Sequence, residues 1–305
     1  MLRNDLQLVI IGDIMLDEWV NHKYIKKSPE TGVPVVEFAS RVVSPGGAAN
    51  SARIATAIWG KTPILLGSIG GDEIGLELQK LIAQLDLNVH YFPQDPLKTT
   101  LKRRVRIDGQ EVCRIDSDVN CPINADTETA ILAYLKNIPE LGIILLSDYN
   151  KGFLTPKLIQ QIIQFARQSN IPIIVDPAMT RIRLFAGANI IKPNKAAFDD
   201  FCLESDSGEA TAICDYLVVT NGEKGVDLIT NQMVEHFDAA TVSGEIDVTG
   251  AGDAFAVGLS YTFSQGFSIK EAVSFAIQLS AQQVTSIRNE LLQVKNLGIS
   301  TKRSN

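Results

Sequence analysis

Short apolar runs separated by longer amphipathic stretches constrain this chain more than any other feature. The runs are LQLVII (6–11), PILLGSI (63–69), GIILLS (142–147), IPIIVD (171–176), ANII (188–191) and YLVVT (216–220). Between them, AANSARIATAIW (48–59), EIGLELQKLIAQL (73–85), ADTETAILAYLKNI (125–138) and TPKLIQQIIQFARQ (155–168) place apolar residues three and four apart. A strand buried on both faces reads as a continuous apolar run, whereas a helix lying on a sheet reads as a stripe of period 3.6. The alternation predicts an α/β fold: a doubly wound, mostly parallel sheet with flanking helices.

Two stretches break the rhythm. VPVVEFASRVV (33–43) has strand character, and TTLKRRVRI (99–107) meets QEVCRID (110–116) across Asp108-Gly109, a strong hairpin signal. They predict a small β-sheet made of segments 17–43 and 97–118, inserted into a single domain spanning residues 1–305. Ligands of doubly wound folds bind outside the carboxyl ends of the strands, so a layer there acts as a lid.

Charge narrows the partners. The formal net charge of -7 argues against broad binding of nucleic acid or an anionic membrane, so an anionic ligand needs a focused site. Cys113, Cys121, Cys202 and Cys214 show no metal-ligand spacing, and His22, His90 and His236 are scattered, which points to reduced thiols rather than zinc or disulfides. The apolar stretch at the N-terminus is too short for a signal peptide or a membrane span, and the expected location is the cytoplasm. GKT (60–62) lacks the leading glycine of a P-loop, and GSIGGDEIG (67–75) lacks dinucleotide-site spacing and reads as a strand-to-helix turn.

One string has two readings that the rest of the chain must decide. DVTGAGD (247–253) runs into the apolar AFAVGLSYTF, so it is either a flexible helix start with Asp253 offsetting the helix dipole, or a site where the amides of Gly250, Ala251 and Gly252 are available to an anion and Asp253 stands beside them to take a proton. Phosphoryl transfer to a hydroxyl needs such a base and such donors. Near the first strand's end, Asp17 has the chemistry to accept from vicinal hydroxyls. Gly46 and Gly47 allow close approach, Asn50 both donates and accepts, and Asp13 either touches the ligand or organises the turn. On the lid, alternation puts Lys102, Arg104 and Arg106 on one face, converging on a phosphate or guarding an edge, while Arg103 points the other way.

Taken in order, GDIMLDEW (12–19), SPGGAAN (44–50), LSDYNKG (146–152), VDPAMT (175–180) with IIKPN (190–194), and DVTGAGD resemble the PfkB, ribokinase-like sugar kinases over essentially the whole chain. Within that family, SPETGVPVV (28–36) and LKRRVR (101–106) are similar to the lid of bacterial D-glycero-D-manno-heptose 7-phosphate kinases of lipopolysaccharide-core synthesis. The resemblance implies ATP and Mg2+ as cofactors, a sugar phosphate as substrate, its anomeric hydroxyl as acceptor, and a homodimer formed through the lid. It implies Asp253 as base, with Gly250, Ala251 and Gly252 as anion hole. Asp13, Asp17, Gly46, Gly47, Asn50, Lys102, Arg104, Arg114 and Asp148 would hold the sugar phosphate. Lys151, Asn194, Thr220, Gly222, Gly225, Asp247 and Thr249 would serve the nucleotide. Metal ligands are not assigned. Bifunctional relatives carry a further nucleotidyltransferase domain, and the expectation here is the kinase domain alone.

The resemblance departs on the nucleotide side. Ala178 stands where those kinases carry Lys, and Ala197 where they carry Glu; Lys192 and Lys195 are the candidate replacements for the missing cation. SIRNE (286–290) replaces the glycine usual at the adenine pocket, and the stretch 198–215 is short. A PfkB kinase for another sugar, and a member that binds without turnover, stay open beside the heptose kinase.

Overall fold

A computed structural model describes residues 6–59, 61–92, 98–118, 120–203, 212–243 and 247–285. The chain runs β1 (Gln7–Gly12), β2 (Ile14–Lys27), β3 (Pro34–Gly47), α1 (Ala48–Ile58), β4 (Ile64–Gly67), α2 (Glu73–Gln84) and β5 (Asn88–Tyr91). The hairpin strands β6 (Thr100–Ile107) and β7 (Gln110–Ser117) precede α3 (Ala125–Lys136), β8 (Leu141–Ser147), α4 (Pro156–Gln168), β9 (Ile173–Asp176) and β10 (Ile190–Ile191). Then come α5 (Lys195–Leu203), β11 (Tyr216–Thr220), β12 (Val226–Ile229), β13 (Val234–Phe237), α6 (Ala251–Ser264) and α7 (Ile269–Thr285).

The main sheet has nine strands in the order β13-β12-β11-β10-β9-β8-β1-β4-β5. From β11 to β5 every pairing is parallel, and β12 and β13 close the far edge antiparallel. β1 shows why its sequence is apolar throughout. Leu8 and Ile10 pack into the layer formed with α1, α6 and α7, whereas Val9 and Ile11 pack into the opposite layer with α3 and α4. A period of two sends neighbours to opposite faces, so a strand covered on both sides has no polar register.

Local chemistry sets the element ends. Asp72, Asn124 and Thr155 each cap a helix by accepting an amide three residues on, and Pro156 follows Thr155 where its missing N–H costs nothing. GSIGGDEIG is the turn from β4 into α2, as its spacing predicts.

The second sheet has four strands in the order β3-β2-β6-β7. Its hairpin turns at Asp108 and Gly109, both at positive φ (49° and 83°), the conformation an Asp-Gly pair adopts most readily. Two features differ from the sequence reading. β2 begins directly after Asp13, so GDIMLDEW is the junction where the chain leaves one sheet for the other, and β2 pairs with β6 in parallel. Arg103, expected on a solvated edge, instead bonds Glu18, which is fully buried and also takes Arg41. Burial alone would raise the Glu18 carboxyl, but the two guanidinium partners hold it below the ordinary range. Arg41 continues to Glu77 of α2 through two bonds of 2.6 Å, and this ionic chain roots the lid on the body. No described helix is long and apolar enough to cross a membrane. The SIRNE stretch lies outside the described residues.

Candidate active site

The carboxyl ends of β1, β8, β9, β10 and β11 converge on one edge of the main sheet, and the lid's β2 springs from the same edge. α6 starts there. Gly250 is its N-cap at φ 79°, and a Cβ on it would lie 2.6 Å from Nδ2 of Asn50, so both backbone shape and proximity require glycine. Asp253 follows in the first turn. Its side chain is buried, and its two oxygens are met by three neutral donors: Asn50 Nδ2 at 2.6 Å on Oδ2, and Tyr149 Oη at 2.8 Å and Ser51 Oγ at 3.3 Å on Oδ1. Burial pushes the Asp253 carboxyl up to about 6, with the Asp176 charge adding to the rise and the Asn50 and Tyr149 bonds and Lys192 opposing it. A buried carboxyl near that value is ionised at neutral pH yet basic enough to accept a proton.

The expected anion-hole residues lie together, with one qualification. Ala251 N–H donates to the carbonyl of Val248 at 3.2 Å, so it serves the turn. The first-turn amides of Gly252 and Asp253 have no acceptor within the helix by position. Buried Lys192 and partly buried Asp176 face this turn as an ion pair, Nζ to Oδ1 2.9 Å. A Cβ on Gly252 would stand 3.6 Å from that ammonium.

On the lid side, Asp17 accepts from Arg104 Nη1 at 2.8 Å, and the Arg104 guanidinium lies over Trp19 at 5.1 Å. Gly46 backs the Asp17 carboxylate so closely that any Cβ there would overlap it. Lys102 Nζ sits 5.0 Å from the ring centre of Tyr149, and burial lowers its pKa. Lys102 has no ion pair within 4 Å among the described residues. Arg114 lies opposite Arg104 in the hairpin register, half exposed, with both arms on Asp116. Arg106 reaches 3.7 Å from Asp247, tying lid to glycine loop.

Two further expected ligands have other work. Asp13 accepts the amides of Tyr149, Lys151 and Phe153 at 2.9 to 3.1 Å, so it organises the turn after β8. Asp148 pairs with Arg181 Nε at 2.9 Å, and burial raises it to about 6 against that cation.

On the other side of α6 a cavity of about 800 Å³ opens, within the size range of ligand pockets. Asn194, Thr220, Gly222 and Gly225 line it with apolar walls from Val226, Val248, Phe255 and Ile277, and it ends on Ala251, Gly252, Lys192 and Tyr149. Three residues expected on the nucleotide side do not line it. Lys151 pairs with Asp118 at 2.6 Å near the lid, and its charge helps lower Lys102. Asp247 and Thr249 form the turn before α6, Thr249 N–H donating to Asp247 Oδ1 at 3.0 Å. Asn194 Oδ1 accepts from the Ala197 amide N–H at 2.8 Å, starting α5.

Tyr149, Asp176, Arg181 and Arg53 carry no local signal in the sequence. Tyr149 and Asp176 lie within LSDYNKG and VDPAMT, but nothing local marks a tyrosine as the partner of an aspartate 104 positions away.

A profile of the pfkB family carbohydrate kinases matches residues 5–290. The chain is 32% identical over 287 residues to the bifunctional protein HldE of Hyphomonas neptunium, covering 90% of this chain and 59% of that protein. It is 34% identical over 284 residues to the HldE of Pasteurella multocida, covering 88% and 58%. The chain thus spans less than two thirds of these relatives' length. Among solved structures, phosphofructokinase-2 from Escherichia coli in complex with potassium superposes with a TM-score of 0.75 at 18% identity, covering 97% of each chain. Ribokinase from Thermotoga maritima gives 0.69 at 21%, covering 92% of this chain and 94% of that one, a likeness of fold. By profile, relatives and fold together, the chain belongs to the pfkB family of carbohydrate kinases, phosphotransferases that act on a sugar hydroxyl.

Proposed function

We propose that the chain is an ATP-dependent kinase that phosphorylates the anomeric hydroxyl of D-glycero-D-manno-heptose 7-phosphate, giving the 1,7-bisphosphate. The observation carrying this reading is the position of Asp253, buried in the first turn of α6 between a ligand-sized cavity and the basic face of the lid. The lid strings similar to heptose kinases, and kinship with HldE proteins, support the choice of sugar.

In this reading the cavity takes ATP with its phosphates toward Gly252. Asp253 accepts the hydroxyl proton as the new O–P bond forms and the bond to ADP breaks, while the Gly250 and Gly252 amides and Lys192 offset charge on the moving phosphoryl. Asp17, Gly46 and Gly47 face the sugar. Lys102 is the primary partner of the 7-phosphate, with Arg104 and Arg114 beside it, because Lys102 alone of the three is unpaired among the described residues. Asp13 and Asp148 frame the loop that carries Tyr149.

The described residues do not make a protein-held magnesium site. No three described His, Cys, Asp or Glu side chains cluster for a metal, Ala197 is buried and apolar, and Asn194 caps a helix. Magnesium, which the family uses, would come with the nucleotide, and no step is assigned to it. The exposed lid side chains Ile25, Phe38, Val112 and Ile115 support a homodimer through that sheet.

A binding protein without turnover is the second reading, favoured by Ala178 and Ala197. ADP release over a panel of free and phosphorylated sugars, with Asp253→Asn as control, separates the two. Turnover on the heptose phosphate lost in the variant supports the kinase, and binding without ADP release on any sugar supports the alternative.

A further inference from the structure

Arg53 of α1 is half-buried, and among the described residues the hydrogen bonds of its guanidinium go to a single neutral atom. Nε and Nη2 both donate to Oδ1 of Asn50, at 3.2 and 3.0 Å. A desolvated guanidinium normally takes a carboxylate, for which its planar fork is shaped. Here the carboxylate is one residue further on, since Asn50 Nδ2 donates onward to Oδ2 of Asp253 at 2.6 Å. The order of the three groups fixes the amide. Arg53 only donates, so it selects the oxygen of Asn50, and the NH2 is left facing Asp253. Turned over, Asn50 would set its NH2 against the guanidinium and its oxygen against the carboxylate, losing bonds at both ends.

We propose that Arg53 is a positioning residue for Asp253, acting through the side-chain amide of Asn50. The proposal rests on Asp253 being the base of the kinase reading. It also assigns Asn50, expected to touch the sugar, to the base.

Two effects of Arg53 act in the same direction. Its charge favours the ionised carboxylate, and its hold on Asn50 keeps a donor rather than an acceptor aimed at it. Burial pushes the Arg53 guanidinium down while the Asp253 charge supports it, so the coupling is reciprocal. The other groups facing Asp253 are Ser51 from α1, Tyr149 from the turn after β8, Asp176 at the end of β9, and Lys192 after β10. Arg53 alone among them acts through an intermediate side chain.

The test reads Asp253 directly. Protein carrying 13C-labelled aspartate carboxyls is titrated without ligand, with Asp253→Asn assigning the resonance. Arg53→Met should raise the Asp253 midpoint by about one pH unit, the size expected when a nearby opposite charge and a bond to the ionised form are removed. Arg53→Lys, which keeps the charge and one donor, should fall between. In an Asn50→Ala background the added effect of Arg53→Met should drop to less than half.

A second readout is turnover on heptose 7-phosphate. From the same shift, Arg53→Met should be within about twofold of the parent at pH 8 and about fivefold slower at pH 6. A folded Arg53→Met protein with an unmoved midpoint overturns the proposal, as does an increment unchanged by removing Asn50. If Arg53→Met does not fold, Arg53→Lys and Arg53→Gln decide by the same midpoint. Should Asp253→Asn prove as active as the parent, the kinase mechanism fails separately, because the titration does not depend on turnover.

Discussion

Tyr149 donates its phenolic hydrogen to Oδ1 of Asp253 at 2.8 Å while its ring lies 5.0 Å beneath the ammonium of Lys102. One side chain therefore touches both the candidate base and the candidate phosphate partner. Burial, with the Asp253 charge beside it, holds the phenol well above its ordinary pKa, so Tyr149 stays a donor throughout the working range.

Removing that hydroxyl takes a bond away from the ionised form of Asp253, so the carboxyl rises above its present value of about 6. Because the base works only when ionised, Tyr149→Phe should lose turnover at a higher pH than the parent does on acidification. Above that pH stability should fall by about 1.5 to 3 kcal/mol, the usual worth of a hydrogen bond to a charged group. The pH dependence of kcat checks this, and an acid limb that stays in place would show that the bond is absent during turnover.

Asp253 is also expected to cost the fold stability. Its pKa rises from 3.8 to about 6 on folding, so between those values the native state holds the proton more tightly than the unfolded chain. Stability from this group is present below the lower value and is lost as pH climbs through the higher one. The penalty above pH 6 is at most about 3 kcal/mol, from two pH units at 1.36 kcal/mol each. Asp253→Asn escapes it, so the variant should melt higher than the parent at pH 7.5, with the difference shrinking toward pH 4. Thermal melts across that range decide. A variant that melts lower at pH 7.5 would mean that the lost acceptor bonds outweigh the relief from burying charge.

The sequence discloses the parts of this molecule whose cause is local. The parallel strands are legible because burial on both faces leaves no polar register, and the hairpin because Asp108 and Gly109 must both adopt positive φ. The glycine loop is legible because seven contiguous residues hold the candidate base and its candidate donors. What escapes is set across the fold. β12 and β13 are four residues each, with ordinary composition, and become strands only in the sheet, β12 by pairing onto β11 and β13 by pairing onto β12. Arg103 reads as an edge guard until the chain folds a buried Glu18 opposite it. Asp13 and Asp148 read as ligands because a carboxylate at a strand's end looks available. Three amides and Arg181, supplied from the following loop and beyond, occupy them.

The lid cations should separate by their partners. Lys102→Met removes a charge unpaired among the described residues, so kcat/KM for a phosphorylated sugar should fall about 10- to 100-fold, from 1.5 to 3 kcal/mol per charged hydrogen bond, with the free sugar unchanged. Arg104→Ala instead releases Asp17, and should weaken both forms. Specificity constants for the two sugar forms provide the check. If Lys102→Met affects them equally, the lysine does not read the phosphate.

Lys192 and Lys195 are both candidates by sequence for the cation missing at Ala178, and their surroundings differ. Lys195 is exposed on α5 and pairs with Asp199 one turn on, an arrangement worth only a few tenths of a kcal/mol. Lys192 is buried at the glycine turn with Asp176. Lys195→Ala should therefore leave turnover within about twofold, since a solvated ion pair already screened by water offsets little charge on a moving phosphoryl. Lys192→Met leaves the partly buried Asp176 carboxylate without its cation and should cost about 1 to 3 kcal/mol of stability, less than breaking a fully buried pair. Adding Asp176→Asn removes that charge, so the double variant should recover most of the melting temperature. It should stay slow, because the cation is still missing from the phosphoryl end. Restoring the family's glutamate is expected to fail for a related reason: Ala197 is buried in the layer under α5, and Ala197→Glu would place a carboxylate there without a partner. The melting temperature should drop with no fall in the magnesium needed for half-maximal rate. A stable Ala197→Glu protein with a lowered magnesium requirement would instead show that α5 moves aside and that the lost glutamate had been the weak point of this kinase.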